Sequence, residues 1–299
     1  MRVGAIEAGG TKMICAVGTE EGEILDRVRI ETGEPNATCE KMLAYFQKHE
    51  ADCLGIGCFG PIELHRNRPD YGSITTTPKL AWQNFNIVKF FEQKLGIPVG
   101  FDTDVNAACL GEVVYGNCKG LSVAMYLTIG TGIGAGLWAN GSLVHGMLHP
   151  EAGHILLGRH PKDTKTVSSC PYHINCFEGL ASGPALAKRY GRPAEDLYEI
   201  PEVWELESYY IGRALANYIM TFSPERIVLG GGVMHKEGLL EMVRNQVKEA
   251  LNGYLKTEQL SHMEDYIVPA SLGDNQGILG GFCLALQEMQ NTTGRKVNA

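Results

Sequence analysis

Four side chains that can bind a soft metal ion lie in one stretch of the chain. Cys170, His173 and Cys176 form a Cys-x2-His-x2-Cys pattern, and His154 precedes them. Such residues can form a disulfide, supply a catalytic thiol or bind a metal. The chain has nine cysteines, and in a reducing compartment this odd number does not suit a disulfide framework. Which of these roles Cys170 and Cys176 have must therefore be judged from the rest of the sequence.

Two glycine-rich turns could bind phosphate groups. In each turn, glycine lets backbone N–H groups approach an anion, and a threonine hydroxyl supplies a further donor. The residues are Gly9, Gly10, Thr11 and Lys12 in "EAGGTK", and Gly130, Thr131, Gly132 and Gly134 in "GTGIGAG". One such turn alone is more typical of a structural hairpin, but two copies favour phosphate binding. Neither matches a Walker A loop or a dinucleotide-binding GxGxxG, because each connects two predicted strands.

A third glycine cluster and an aspartate complete the candidates for chemistry. "VLGGGV" follows an apolar strand and would approach a nucleoside. Asp104 lies between a predicted strand and a predicted helix, where the helix dipole favours an ionised carboxylate. It could cap that helix, or it could accept the proton of a hydroxyl that attacks a phosphoryl group. Asp102 is the rival base, and we expect it to cap the helix or to bond locally.

The pattern of apolar residues and turns predicts the elements that position these side chains. Strands and helices follow the order βββαβαβα in the first half, which implies a mixed sheet flanked by helices. Residues 3–25 and 123–144 both have the order strand, Gly/Thr turn, strand, turn, strand. This repetition predicts two related lobes.

The lobes are expected to meet in structured segments rather than through a linker. We predict an N-terminal lobe at 1–118, completed by a C-terminal helix at 276–290, and a C-terminal lobe at 119–275. The crossing is expected near 116–120. Residues after about 291 are expected to form a frayed tail.

The composition excludes several classes of partner. The chain has 299 residues, 44% of them hydrophobic, and a formal net charge of -8. Its charges form no long runs, so we expect small solutes as partners rather than nucleic acid or a membrane surface. The first strand begins without a signal-peptide pattern, and no apolar run approaches the roughly 18 residues of a membrane span. We therefore expect a cytoplasmic protein, with a homodimer as the default assembly.

Five motifs in order resemble the ROK (repressor, ORF, kinase) family of sugar kinases over residues 3–285. They are "GGTK", "DTDVNAACLGE", "GTGIGAG", "PEAGH" with the Cys/His stretch, and "VLGGG". The resemblance implies an α/β fold, the duplicated actin-like ATPase (ribonuclease H-like) fold with two lobes around a cleft. It also implies transfer of the ATP γ-phosphoryl group to a hexose hydroxyl, with Mg²⁺. Glu7, where most members carry Asp, and "TTPKLAW" are similar to the fructokinase subgroup.

The resemblance also assigns roles to individual residues. Asp104 matches the family's catalytic base, and the sugar-binding positions correspond to Glu151, His154 and Glu178. The positions next to ATP include Pro184, Gly231 and Gly232 besides the two glycine turns. Thr103 stands where many members have Asn, so one sugar contact is altered, and Asn84 or Asn86 is a further candidate for contacting the sugar.

The expected reaction is phosphorylation of fructose at its 6-hydroxyl. Glucose, mannose and N-acetylhexosamine are the alternative substrates, because one hydroxyl orientation decides among them. A sugar-sensing ROK repressor is the alternative of a different class, but such members carry a DNA-binding helix-turn-helix before the first strand, and only two residues precede Val3. A non-catalytic sugar-binding relative is a further alternative, which the presence of Asp104 disfavours.

The Cys/His stretch is best explained as a structural zinc site inserted in the C-terminal lobe. His154, Cys170, His173 and Cys176 are four nitrogen and sulfur ligands, a closed tetrahedral set, whereas a catalytic zinc keeps one position open. The family pattern has three cysteines and one histidine here, so His173 is a departure that keeps the ligand number. His160 is a possible substitute ligand. His154 would bind zinc through one ring nitrogen and face the sugar with the other.

Overall fold

The structure is a computed structural model that describes residues 1–165 and 167–294. The chain divides into two compact units. Of the described residues, unit 1 contains Met1–Lys119, Leu143–His149 and 271–294, and unit 2 contains Gly120–Ser142 and those of Pro150–Ala270. The segment Leu143–His149, which the sequence pattern assigns to the C-terminal lobe, thus packs with unit 1.

Each unit contains one five-stranded mixed sheet. The strands are β1 Arg2–Ala8, β2 Lys12–Thr19, β3 Ile24–Glu31, β4 Cys53–Cys58, β5 Val99–Thr103, β6 Val123–Ile129, β7 Ile133–Ala139, β8 Ser142–Leu143, β9 Arg226–Gly230 and β10 Ile267–Pro269. The helices are α1 Pro35–Lys48, α2 Ile87–Leu95, α3 Asp104–Val114, α4 Phe177–Ala181, α5 Gly183–Tyr190, α6 Pro201–Phe222, α7 Leu239–Leu251, α8 Glu258–Ser261, α9 Met263–Tyr266 and α10 Gln276–Thr293.

The two sheets have the same topology. In unit 1 the strand order is β3-β2-β1-β4-β5, with β1 antiparallel to β2 and parallel to β4, and β4 parallel to β5. In unit 2 the order β8-β7-β6-β9-β10 repeats it, with β6 antiparallel to β7 and parallel to β9, and β9 parallel to β10. The duplicated α/β architecture predicted from the two glycine hairpins is confirmed.

The sheet of unit 1 is covered on both faces. One core combines residues of α1 and α2 with the sheet, including Phe46, Phe91 and Ile56. A second core joins the sheet to Phe282 of α10. All six residues of β4 are buried as a result, which is the expected state of a central parallel strand.

Gly55 lets α10 lie directly on the sheet. A Cβ atom added at Gly55 would be 1.8 Å from the carbonyl oxygen of Gly281 in α10. No side chain fits between the two backbones, so this contact sets the separation of the helix from β4.

Two predicted elements differ from the structure. The strand expected in "YIVPAS" is only three residues long, because α9 continues to Tyr266. The first residues of the tail expected after residue 291 are instead helical, since α10 runs to Thr293 and ends at Gly294 in the left-handed conformation with φ 66°. The remainder of the predicted tail, 295–299, lies outside the described residues. Among the helices of residues 1–165 and 167–294, none combines the length and hydrophobicity needed to cross a bilayer.

We expect Gly55→Ala to lower the free energy of unfolding by about 1–3 kcal/mol, because the added methyl group overpacks the contact between β4 and α10. Urea unfolding monitored by circular dichroism measures the change. Gly33→Ala is the matched control, since a Cβ there meets only Thr38 Oγ1 at 3.6 Å. Equal unfolding midpoints for the Gly55 variant and the wild type would show that this contact is not tight.

Candidate functional site

The β1–β2 turn of unit 1 exposes its cationic and hydroxyl side chains. Gly9 N donates to Lys12 O at 3.0 Å, and Thr32 Oγ1 donates to Gly9 O at 2.9 Å, which fixes the turn. Thr11 and Lys12 are exposed. The turn can therefore offer backbone N–H groups, a hydroxyl and an ammonium to an anion.

Lys79 is a second cation at this turn, and the sequence analysis did not identify it. Its Cε lies 3.0 Å from the position that a Cβ would take at Gly10. The only signal in the sequence is its membership of "TTPKLAW", since it is far from Gly10 along the chain.

Asp104 is the first residue of α3, but it does not cap the helix. The N-cap is Thr103, whose hydroxyl accepts from Asn106 N at 3.0 Å. The Asp104 carboxylate accepts from Val105 N at 2.9 Å and is partly exposed. Of the two roles considered from sequence, capping belongs to the neighbouring threonine.

Burial raises the pKa of Asp104 to about 6, although hydrogen bonds from Val105 N and from its own backbone lower it. The sequence suggested that the helix terminus would keep this carboxylate ionised. Instead, desolvation outweighs the favourable backbone groups. Asp104 is still mostly ionised at pH 7, and it is a stronger proton acceptor than an ordinary aspartate.

Glu7 lies near Asp104 at the end of β1. Desolvation, together with the charges of Asp104 and Asp274, raises the pKa of Glu7 to about 7, although the charge of Lys12 lowers it. Two neighbouring carboxylates with raised pKa values fit a divalent cation bound by oxygen ligands, because the cation would relieve their repulsion.

Asp102 is engaged in local hydrogen bonds. It accepts from Thr103 N at 2.7 Å, from Asn106 Nδ2 at 2.7 Å and from His145 Nε2 at 2.8 Å. Among the candidate asparagines, Asn86 caps α2 and also donates to Tyr71 O at 2.7 Å.

The two remaining candidates in unit 1 differ in exposure. Asn84 is exposed, with φ 61°. Thr103 is 3% exposed, and its hydroxyl oxygen is used by the helix cap.

The glycine segments of unit 2 converge. Gly130 N donates to Gly132 O at 2.9 Å, and Gly183 N donates to Gly130 O at 2.8 Å. A Cβ at Gly130 would lie 3.6 Å from Gly232 N. The segments brought together contain the predicted nucleotide-binding residues Gly130, Thr131, Gly132, Pro184, Gly231 and Gly232. Gly134 follows in β7, paired with Thr128.

The loop that carries Glu151 and His154 packs on β7. An added Cβ at Gly153 would be 1.8 Å from Ile133 O. The neighbouring Ile133 N donates to Glu178 Oε2 at 2.9 Å, and His154 Nε2 is 3.9 Å from Glu178 Oε1. The structure thus brings His154 and Glu178 together beside the 130–132 turn, and Glu151 is exposed on the same loop.

The four predicted metal ligands form one group. Ligand atoms of His154, Cys170, His173 and Cys176 all lie within 4.8 Å of one another. Cys170 Sγ is 3.8 Å from His154 Nδ1 and 3.5 Å from His173 Nδ1. Two thiols and two imidazoles this close fit a tetrahedral zinc ion. His154 directs Nδ1 to the group and Nε2 to Glu178.

His160, the substitute ligand considered from sequence, is not a member of the group. Its ring packs against Tyr209 with centroids 4.5 Å apart. Its Nδ1 accepts from Lys162 N at 3.1 Å.

Comparison with known proteins identifies the family of this chain. The model of the ROK family matches residues 3–288. A fructokinase of Pediococcus pentosaceus is 44% identical, covering 97% of this chain and 100% of that protein. A fructokinase of Zymomonas mobilis is 41% identical, covering 95% and 96%. The crystal structure of a ROK hexokinase from Thermus thermophilus superposes with a TM-score of 0.80 at 27% identity, covering 97% of this chain and all of that one. This chain belongs to the ROK family.

Proposed function

We propose that the protein is an ATP-dependent hexose kinase that phosphorylates fructose at its 6-hydroxyl. The observation that carries the proposal is Asp104, a partly exposed carboxylate with a pKa raised to about 6 at the start of α3. Relatives named fructokinase at 41–44% identity over nearly the whole chain support the choice of sugar.

Asp104 acts as the general base. It accepts the proton of the sugar hydroxyl as the oxygen forms a bond to the γ-phosphorus, and the bond from that phosphorus to the β,γ-bridging oxygen breaks to release ADP. A base with a pKa near 6 is ionised at neutral pH and accepts a proton more readily than an ordinary aspartate. Positioned proton transfer of this kind contributes about 10²-fold or more to rate.

The glycine turns bind the nucleotide. Gly9, Gly10, Thr11 and Lys12 offer donors to phosphate, and Lys79 adds a second positive charge there. In unit 2, the converging glycine segments are likewise proposed to bind nucleotide. Mg²⁺ would be held at Glu7, and when bound it neutralises charge on the phosphate oxygens.

Zinc would be held by His154, Cys170, His173 and Cys176, and its role is structural. All four positions of a tetrahedral site are filled by protein ligands. With Nδ1 on the metal, the His154 ring is fixed with Nε2 toward Glu178. A zinc ion bound there would therefore orient the side chains proposed to bind the sugar, namely His154 and Glu178, with Glu151 on the same loop as His154.

The sugar preference is tested by coupled ADP release with ATP, Mg²⁺ and a panel of hexoses. We expect kcat/KM for fructose to exceed that for glucose, mannose and N-acetylhexosamines, because a pocket that pairs the hydroxyls of one sugar leaves polar groups unpaired with another, at roughly 1–3 kcal/mol each. A higher kcat/KM for glucose would contradict the fructose assignment and leave the kinase assignment intact. Absence of turnover with every hexose would refute both.

The acid limb of the pH profile tests Asp104. We expect kcat/KM to fall as the pH drops below about 6, because protonation of a carboxylate with a raised pKa removes the base as pH falls through that value. Initial rates from pH 5 to 8, with enzyme stability checked at each pH, measure it.

Asp104→Asn should lose about 10²-fold or more in kcat and should show no such limb in its residual activity. Asp70→Asn is the control, since Asp70 is an exposed residue paired with Arg68. Turnover of Asp104→Asn near the wild-type value would exclude the base role.

Metal analysis tests the zinc site. Protein purified without added zinc should carry about one zinc per chain, and Cys176→Ser should lose it, because a closed site needs all four ligands. KM for fructose should rise in that variant since His154 is no longer fixed. Cys39→Ala, at a buried cysteine of α1 in unit 1, should retain zinc. Full zinc occupancy in Cys176→Ser would overturn the assignment.

A further inference from the structure

Asp102 accepts several hydrogen bonds in the turn that carries Asp104. Its side chain is 4% exposed and accepts three hydrogen bonds. Two donors, Thr103 N and Asn106 Nδ2, belong to the same turn and hold residues 102–106 in one conformation. The third donor, His145 Nε2 at 2.8 Å, comes from a distant part of the chain.

The protonation of His145 follows from these contacts. Since Nε2 donates to Asp102, it has no lone pair with which to accept from Asn106 Nδ2, which lies 3.3 Å away. The Asn106 amide therefore donates to Asp102 alone. The hydrogen bond to Asp102 also raises the pKa of His145, as expected for an imidazole next to a carboxylate.

His145 belongs to the segment Leu143–His149. Two further hydrogen bonds join this segment to the rest of unit 1. His65 Nε2 is 3.1 Å from Gly146 O, and Ile62 N donates to His149 Nε2 at 3.2 Å. The segment continues directly into Pro150 and Glu151. His145 is the one member of this segment that bonds to Asp102.

We propose that His145 is a positioning residue for phosphoryl transfer, which acts by donating to Asp102 and thereby holding the 102–106 turn in the conformation that orients the Asp104 carboxylate. The inference rests on the proposed function, in which Asp104 is the base. Without the imidazole, Asp102 keeps the two donors of its own turn on Oδ1 but loses the His145 donor on Oδ2, so the turn is held less firmly. Small displacements of a reacting group cost large factors in rate, so kcat should respond while ATP binding does not.

Kinetics of two variants test the role. His145→Ala should lower kcat by about 10-fold or more, with KM for ATP changed by less than about 2-fold. His145→Gln keeps an N–H donor and should recover most of the loss. His49→Ala, which removes a histidine 3.8 Å from Asp26, is the matched control and should keep wild-type kcat.

His65→Ala separates the loss of the donor to Asp102 from a general loosening of the segment Leu143–His149. It loosens the same segment at Gly146 without removing a donor from Asp102, so kcat should stay within about 3-fold of the wild type. A loss equal to that of His145→Ala would overturn the route through Asp102. A wild-type kcat for His145→Ala, in a wild type that phosphorylates hexose, would overturn the proposal while leaving the kinase function standing.

A measurement independent of turnover checks the pair itself. In a proton NMR titration the pKa of His145 should be raised in the wild type and should fall toward that of an ordinary histidine in Asp102→Asn. An equal His145 pKa in the wild type and in Asp102→Asn would show that the pair does not form, whether or not the protein is a kinase. Thermal unfolding and zinc content of each variant, compared with the wild type, establish that the effects are not due to misfolding.

Discussion

The partial burial of Asp104, which desolvates its carboxylate, is the constraint on which the site of unit 1 depends. Removing a carboxylate from water is unfavourable, and the charge of Asp104 adds to the desolvation that raises the pKa of the neighbouring Glu7. The protein offsets this cost only partly, with the N–H of Val105 at Asp104 and the charge of Lys12 at Glu7. The part of this cost that is not offset appears as raised pKa values of Asp104 and Glu7. The raised pKa makes Asp104 a better base, and the two carboxylates together are suited to a cation.

Strand topology explains why these groups meet. β1, β4 and β5 are parallel neighbours, so their carboxyl ends lie at one edge of the sheet. The turn proposed to bind phosphate follows β1, and α3 with Asp104 follows β5. In the sheet of unit 2, β6 and β9 are also parallel neighbours. The 130–132 turn follows β6 and the glycines 231–232 follow β9, so both lie at the carboxyl ends of these strands. Ligand-binding groups at the carboxyl ends of strands are a general property of α/β sheets, and the duplication produces this arrangement twice.

Cys176, a proposed metal ligand, and Glu178, a proposed sugar-binding residue, are connected through one short helix. Cys176 is the N-cap of α4, where its Sγ accepts from Gly179 N at 3.3 Å. Glu178 follows two residues later, and its carboxylate accepts from Ile133 N. A metal bound at Cys176 would therefore lie at the start of the helix that carries Glu178, while His154 joins the group from the turn Ala152–His154.

Many features of the fold and of the candidate site could be predicted from the sequence, because they depend on patterns of residues close together in the chain. Alternating apolar residues and glycine turns predicted the two hairpins and their duplication. The spacing of Cys170, His173 and Cys176 with His154 predicted four ligands that do form one group. The positions that tertiary structure decided involve residues far apart in the chain, such as Lys79 at Gly10 and His145 at Asp102. Protonation was also beyond the sequence. The helix terminus favours an ionised Asp104, and only the packed structure reveals that desolvation is the larger effect, since the cost of burying a charge depends on everything that surrounds it.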